Sequence, residues 1–151
     1  VMVMDSAPAA ILGCLQDPEV DCKDPLLVIN VGNSHTTAAI IKDWEVLGFM
    51  EHHTMYLTKN KIRSLLKRFK KGDLTNEEVF KDGGHGVFYL TTPPPERRVK
   101  TIVATGPLRR MLRGNSGLKA HFAAPGGDVM MTGPIGMVEA AKRKLGLVTP
   151  D

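Results

Sequence analysis

Three glycine-containing bends carry residue types suited to binding an anion. The first is Asn30-Val31-Gly32-Asn33-Ser34-His35-Thr36. Gly and Asn tolerate positive φ, so a turn built from them can aim successive backbone N–H groups at one point, where phosphate oxygens would fit. The same residue types also favour an ordinary hairpin turn. The second bend, Thr105-Gly106-Pro107, reads as a strand-to-helix turn. Glycine there lets a ligand approach the backbone and the free N–H groups of the helix start, although Gly-Pro is equally a punctuator between elements. The third, Gly126-Gly127-Asp128, leads into a final helix whose early section carries Gly133 and Gly136. A glycine inside a helix costs about 1 kcal/mol against alanine, so two of them imply that a nucleotide or a neighbouring element comes close to that backbone.

Five histidines, His35, His52, His53, His85 and His121, raise the question of a metal. Adjacent His52 and His53 point to opposite faces of a strand, and no His-x-x-x-His spacing occurs, so no metal site is expected. His85, within Gly83-Gly84-His85-Gly86, is flanked by glycines that would expose it to a cleft; its alternative is an ordinary loop residue. Cys14 and Cys22 are too few for a disulfide framework, and they read as a packing residue and a loop thiol. The net charge of +4 comes mostly from Lys59 to Lys71. That segment could neutralise phosphates of nucleic acid or anionic lipid, but it has no interleaved aromatics and equally suits a solvated helix face, so nucleic acid is not the expected partner.

These residues need a scaffold, and 151 residues suffice for one domain, residues 1–151. No apolar run approaches the ~20 residues of a membrane span, and nothing resembles a signal peptide, so a cytoplasmic protein with no membrane partner is expected. The apolar opening without an initiator methionine suggests a piece of something larger. Ser6 caps a predicted helix over residues 6–16, rich in small residues. Leu26 to Val31, Thr36 to Ile41 and Trp44 to Thr54 read as three successive strands. Thr58 caps an amphipathic helix with Ile62, Leu65, Leu66 and Phe69 on one face, ended by Gly72. Thr75 starts a second short helix that Gly83-Gly84 terminates, and the proline run Thr91 to Glu96 is a surface connection. A strand over Val99 to Ala104, a helix over Pro107 to Arg113 and a brief strand over Ala120 to Ala124 follow. The last helix, within Val129 to Leu145, carries an apolar stripe of Met137, Val138, Ala141 and Leu145, with Gly146 as its stop.

Three meandering strands followed by alternating strand and helix predict an α/β domain with a mixed sheet. In that order, the residues from Ser6 to Ile41, then Ile102 to Pro107, then Gly127-Asp128-Val129 with Thr132-Gly133 and Gly136, resemble the actin, sugar-kinase and heat-shock-chaperone superfamily. Asn33-Ser34-His35-Thr36, Thr75 to Phe80 and Asp82 to Gly86 resemble more closely an archaeal and bacterial family of actin-like ATPases often labelled a pyruvate formate-lyase activating enzyme. The resemblance implies the C-terminal lobe of an actin-like, ribonuclease-H-like fold, with ATP and magnesium held between this lobe and an N-terminal one, or a second copy. It implies that Asn30, Gly32, Asn33, Ser34, His35 and Thr36 surround the terminal phosphates, and that Thr105, Gly106, Gly127, Asp128 and Gly133 lie on the nucleoside side. The superfamily usually has Asp where Asn30 stands, and a neutral amide lacks the charge that favours a divalent cation, so hydrolysis is not implied. A non-catalytic interaction module is the other reading of such a lobe. The activating-enzyme label would require an iron–sulfur cluster on three closely spaced cysteines, and two cannot supply it.

Overall fold

A computed structural model describes residues 1–90, 99–114 and 119–147. The apolar, β-branched segment Leu26–Val31 (β1) pairs antiparallel with His35–Lys42 (β2), which pairs antiparallel with Glu45–His53 (β3). Asp43 and Trp44 close the β2–β3 hairpin with φ of 48° and 64°, the two left-handed residues that match the twist of the flanking strands. A fourth antiparallel strand, Gly84–Tyr89 (β4), pairs with β3. Thr101–Thr105 (β5) lies parallel to β1 on its other side, and His121–Phe122 (β6) lies parallel to β5. The result is one mixed sheet of order β4-β3-β2-β1-β5-β6.

Helices cover both faces. Lys59–Lys71 (α2) starts at Thr58, whose hydroxyl accepts the Lys61 N–H, and ends at left-handed Gly72. Its Ile62, Leu66 and Phe69 are buried against Leu27, Ile29, Ile40 and Met50 on one face of the sheet. Asn76–Lys81 (α3) follows, held by a capping box between Thr75 and Glu78. On the opposite face, Ser6–Cys14 (α1) packs Ile11 and Cys14 against Leu26, Val28 and Val103. The helix Thr132–Lys144 (α4) then rests on α1. Among the described residues no helix is long and apolar enough to cross a membrane.

Several expectations change. The cap of α1 is Asp5, whose carboxylate accepts the Ala7 N–H at 3.0 Å, rather than Ser6, and the helix ends at Cys14. The strand β4 was not expected, because its Gly-His-Gly opening has weak strand propensity. Pro107 to Arg113 forms only a single 3₁₀ turn, Arg109–Leu112, and β6 is two residues long. Thr91 to Glu96 lies outside the described residues. The largest correction concerns α4. Its buried face is Thr132, Gly136 and Glu139, whereas Met137, Val138 and Leu145 of the apolar stripe are exposed. Small residues win that face because the two helix backbones touch: a Cβ on Gly136 would overlap the Ala9 carbonyl oxygen, and one on Gly13 would overlap that of Thr132.

Candidate functional site

The chain leaves the carboxyl end of β1 toward β2 on one side, while β5 occupies the other side and leads on to β6. Ligands of open α/β sheets bind at such a switch in strand order, outside the carboxyl ends of the parallel strands. Register aligns Thr105, Asn30, Thr37 and Glu51 in one row across β5, β1, β2 and β3. Side chains alternate along a strand, and Val103, Val28 and Ala39, each two residues away from its member of the row, pack toward α1. The row therefore faces the α1 side as a polar strip beyond an apolar core. Thr105 Oγ1 lies 3.0 Å from Thr132 Oγ1. The Thr132 hydroxyl donates to the Val129 carbonyl, so Thr105 is the donor of the pair. The Thr37 hydroxyl is buried and has no hydrogen-bond partner among the described residues. Such a group is an exception among buried polar atoms and calls for a water or ligand.

Gly106, at φ 96°, packs directly beneath Asn30: a Cβ there would stand 2.7 Å from Asn30 Oδ1. The Leu108 N–H donates to the Val31 carbonyl at 3.0 Å and fastens the loop after β5 to the end of β1. The bend after β1 and the loop after β5 thus form one edge. The bend itself is built differently from the expected nest. Neither Gly32 nor Asn33 is left-handed, and the Gly32 N–H is spent on the His35 carbonyl at 3.0 Å. Asn33 and Ser34 are exposed at the tip, and Thr36 is buried, its hydroxyl 2.9 Å from that of Thr54. Gly127, left-handed at φ 86°, and Gly133 both face open space, while the Asp128 carboxylate accepts the Met130 N–H at 2.8 Å and so caps the turn before α4. Gly136, by contrast, is needed for the contact with α1.

Pairing brings together three of the five histidines. His35 and His53 are direct cross-strand partners on β2 and β3. His85 on β4 joins them where the β3–β4 register shifts between Glu51 and His52. One ligand nitrogen from each lies within 4.8 Å of the other two, and His35 Nε2 is 3.1 Å from His85 Nε2. Partial desolvation, and then the neighbouring His85 and His35, hold the His53 ring below the usual histidine range. His52 points to the opposite face, as expected, and is fully buried. Its Nδ1 donates to the His53 carbonyl at 3.0 Å, and its Nε2 lies 3.2 Å from Asp82 Oδ2. Asp82 also pairs with Lys61 at 2.8 Å. The glycines around His85 admit close neighbours rather than a cleft. A Cβ on Gly83 would stand 2.8 Å from the Tyr56 ring, one on Gly84 2.8 Å from the His52 ring, and one on Gly86 would overlap Asn76 Oδ1. Spacing along the chain could not show this cluster, because its members come from three strands; the signal was the Gly-Gly-His-Gly run read together with strand pairing.

The model of a family described as "Putative pyruvate format-lyase activating enzyme (DUF1786)" matches residues 1–111. No curated protein matches the chain.

Proposed function

The chain belongs to that family, whose model spans well over half of it, and we propose that it is the phosphate-binding lobe of an ATP-binding protein, incomplete as a catalyst by itself. The observation that carries this reading is the register pair Asn30 and Thr105 at a switch in strand order, with Gly106 packed against the Asn30 amide. The Asn30 amide in the strip from Thr105 to Glu51 is a donor for phosphate oxygens, and the orphaned Thr37 hydroxyl, buried beside it, fits a water bridging to such a ligand. Asn33 and Ser34 at the tip would meet the terminal phosphates; Gly127 and Gly133, with open space before them, would lie on the nucleoside side. Magnesium carried by the nucleotide would supply charge neutralisation of the phosphates, and the Asn30 amide oxygen is the group of the strip that would face it.

A second body completes the crevice in this reading. Trp44, Phe88 and Leu90 are exposed on the sheet face that α1 leaves bare, and Met137 and Val138 are exposed on α4. These apolar groups favour a facing lobe or a second copy, and they equally support a non-catalytic interaction module. Binding of nucleic acid through α2 has less support, since Lys61 and Arg68 are engaged with Asp82 and Glu78. The activating-enzyme chemistry in the family's description is not adopted. Cys14 and Cys22 are the chain's two cysteines and both are buried, and burial pushes the Cys14 thiol up to about 12. Together they fall short of a cluster's ligand set.

The test is calorimetry of the full-length protein with ATP and magnesium, comparing wild type with Thr37→Val. Valine has the shape of threonine and removes only the unpartnered hydroxyl. The variant is expected to unfold at the same or a higher denaturant concentration while binding nucleotide more weakly. No heat with wild type, or unchanged affinity in the variant, overturns the assignment of this strip.

A further inference from the structure

We infer that His35, His53 and His85 form a binding site for a divalent transition-metal ion of the zinc class, held by three imidazoles at the tips of β2, β3 and β4. A zinc ion takes nitrogen ligands at about 2.0–2.1 Å, and tetrahedral geometry then sets the nitrogens about 3.3 Å apart. The 3.1 Å between His35 Nε2 and His85 Nε2 is close to that spacing, and a ring nitrogen of His53 lies within 4.8 Å of a nitrogen of each of the other two. Ring centroids are 4.5 to 4.9 Å apart, with tilts of 38° to 55° rather than the parallel stacking of a packed aromatic cluster.

The donor set decides the class of ion. Three imidazoles without a carboxylate in the cluster suit zinc, copper or nickel, whereas magnesium and calcium take oxygen ligands. Three protein ligands also leave a fourth position, for water or an anion oxygen, and His85 is an exposed residue that solvent can reach.

The surroundings hold the ligands in place. Strand pairing fixes His35 opposite His53. The buried His52 ring joins the His53 carbonyl to Asp82, three residues before His85, and so ties the two remaining ligand segments together. Tyr56 packs its ring at 90° to that of His53, with centroids 6.1 Å apart. His52 is a positioning residue in this scheme. The site does not depend on the nucleotide reading, although His35 borders both.

The experiment uses the full-length protein without a histidine tag, stripped with a chelator and titrated with zinc chloride, and with cobalt chloride as a spectroscopic probe. One equivalent per chain is expected, with the intense visible bands of four-coordinate cobalt. His85→Ala removes an exposed side chain and leaves the fold intact by circular dichroism, and His53→Ala removes a second ligand. Each is expected to weaken binding by at least the 10- to 100-fold that loss of an outer-shell partner costs. His121→Gln, outside the cluster, should bind as wild type. Absence of stoichiometric uptake, cobalt bands of a six-coordinate ion, or equal affinity in wild type, His85→Ala and His53→Ala overturns the site. ATP calorimetry on the chelated protein separates this result from the nucleotide reading.

Discussion

Replacing Gly136 with alanine tests whether the α1–α4 contact is as close as described. The added Cβ would overlap the Ala9 carbonyl oxygen and stand 2.7 Å from the Gly13 nitrogen. Both obstacles are backbone atoms, so no rotamer change relieves them and the helices must separate. Overpacking of this kind costs about 1–3 kcal/mol, and the rigid partners place it at the upper end. Alanine's helix preference returns about 1 kcal/mol, leaving a net loss of about 2 kcal/mol. Gly133 is the internal control. It lies in the same helix three residues earlier, and a Cβ there meets nothing within 4 Å. Gly133→Ala should therefore be neutral or gain at most about 1 kcal/mol. Urea unfolding of both variants measures the difference, and changes of the same sign and size would refute the close-contact argument.

Asp17 supports a second prediction. Its Oδ2 accepts the Ala124 N–H at 2.8 Å, and its Oδ1 accepts the Glu19 N–H at 3.0 Å and faces His121 Nε2 at 3.3 Å. Burial opposes ionisation, but these donors outweigh it and hold the carboxyl below its usual range. Asp17→Asn should cost about 1–3 kcal/mol at neutral pH. The carboxylate's contribution is complete above the ordinary aspartate range and is lost as pH falls through the depressed value, so the variant's deficit should shrink in acid. The third concerns Thr75→Ala, which removes half of the capping box and should cost about 1 kcal/mol. Arg68 first, then Thr75, bring the Glu78 carboxyl down to about 2. Its stabilising effect is full above the ordinary value of 4.5 and fades as pH falls toward 2; NMR titration should show a higher Glu78 value in the variant.

Much of the scaffold could be read from local patterns. Leu26 to Val31, the caps Thr58 and Thr75 and the stop at Gly72 act through nearest neighbours, and each appears where its chemistry placed it. Failures came where a partner distant in sequence decided the outcome. The apolar positions of α4 suggested its buried face, yet a backbone contact with α1 selected glycine and threonine instead. β4 opens with two glycines that argue against a strand, but β3 supplies its ladder and Tyr56, His52 and Asn76 fill the space that larger residues would take. At the switch in strand order, the juxtaposition of Asn30 with Thr105 needs a parallel pairing across more than seventy residues, which no local motif reports. The histidine cluster escaped for the same reason.

The irregularity between Glu51 and His52 that brings His85 to its neighbours also protects the molecule from its own kind. Among the described residues β4 ends the sheet, and an outer strand is a template onto which another chain can hydrogen-bond. At its start the ladder slips by a residue, and Gly86 sits at φ 131°, a backbone conformation that L side chains rarely adopt. Such a kink twists the donors and acceptors of that border out of line. Straightening it would unmake the histidine constellation and open a route to aggregation at once.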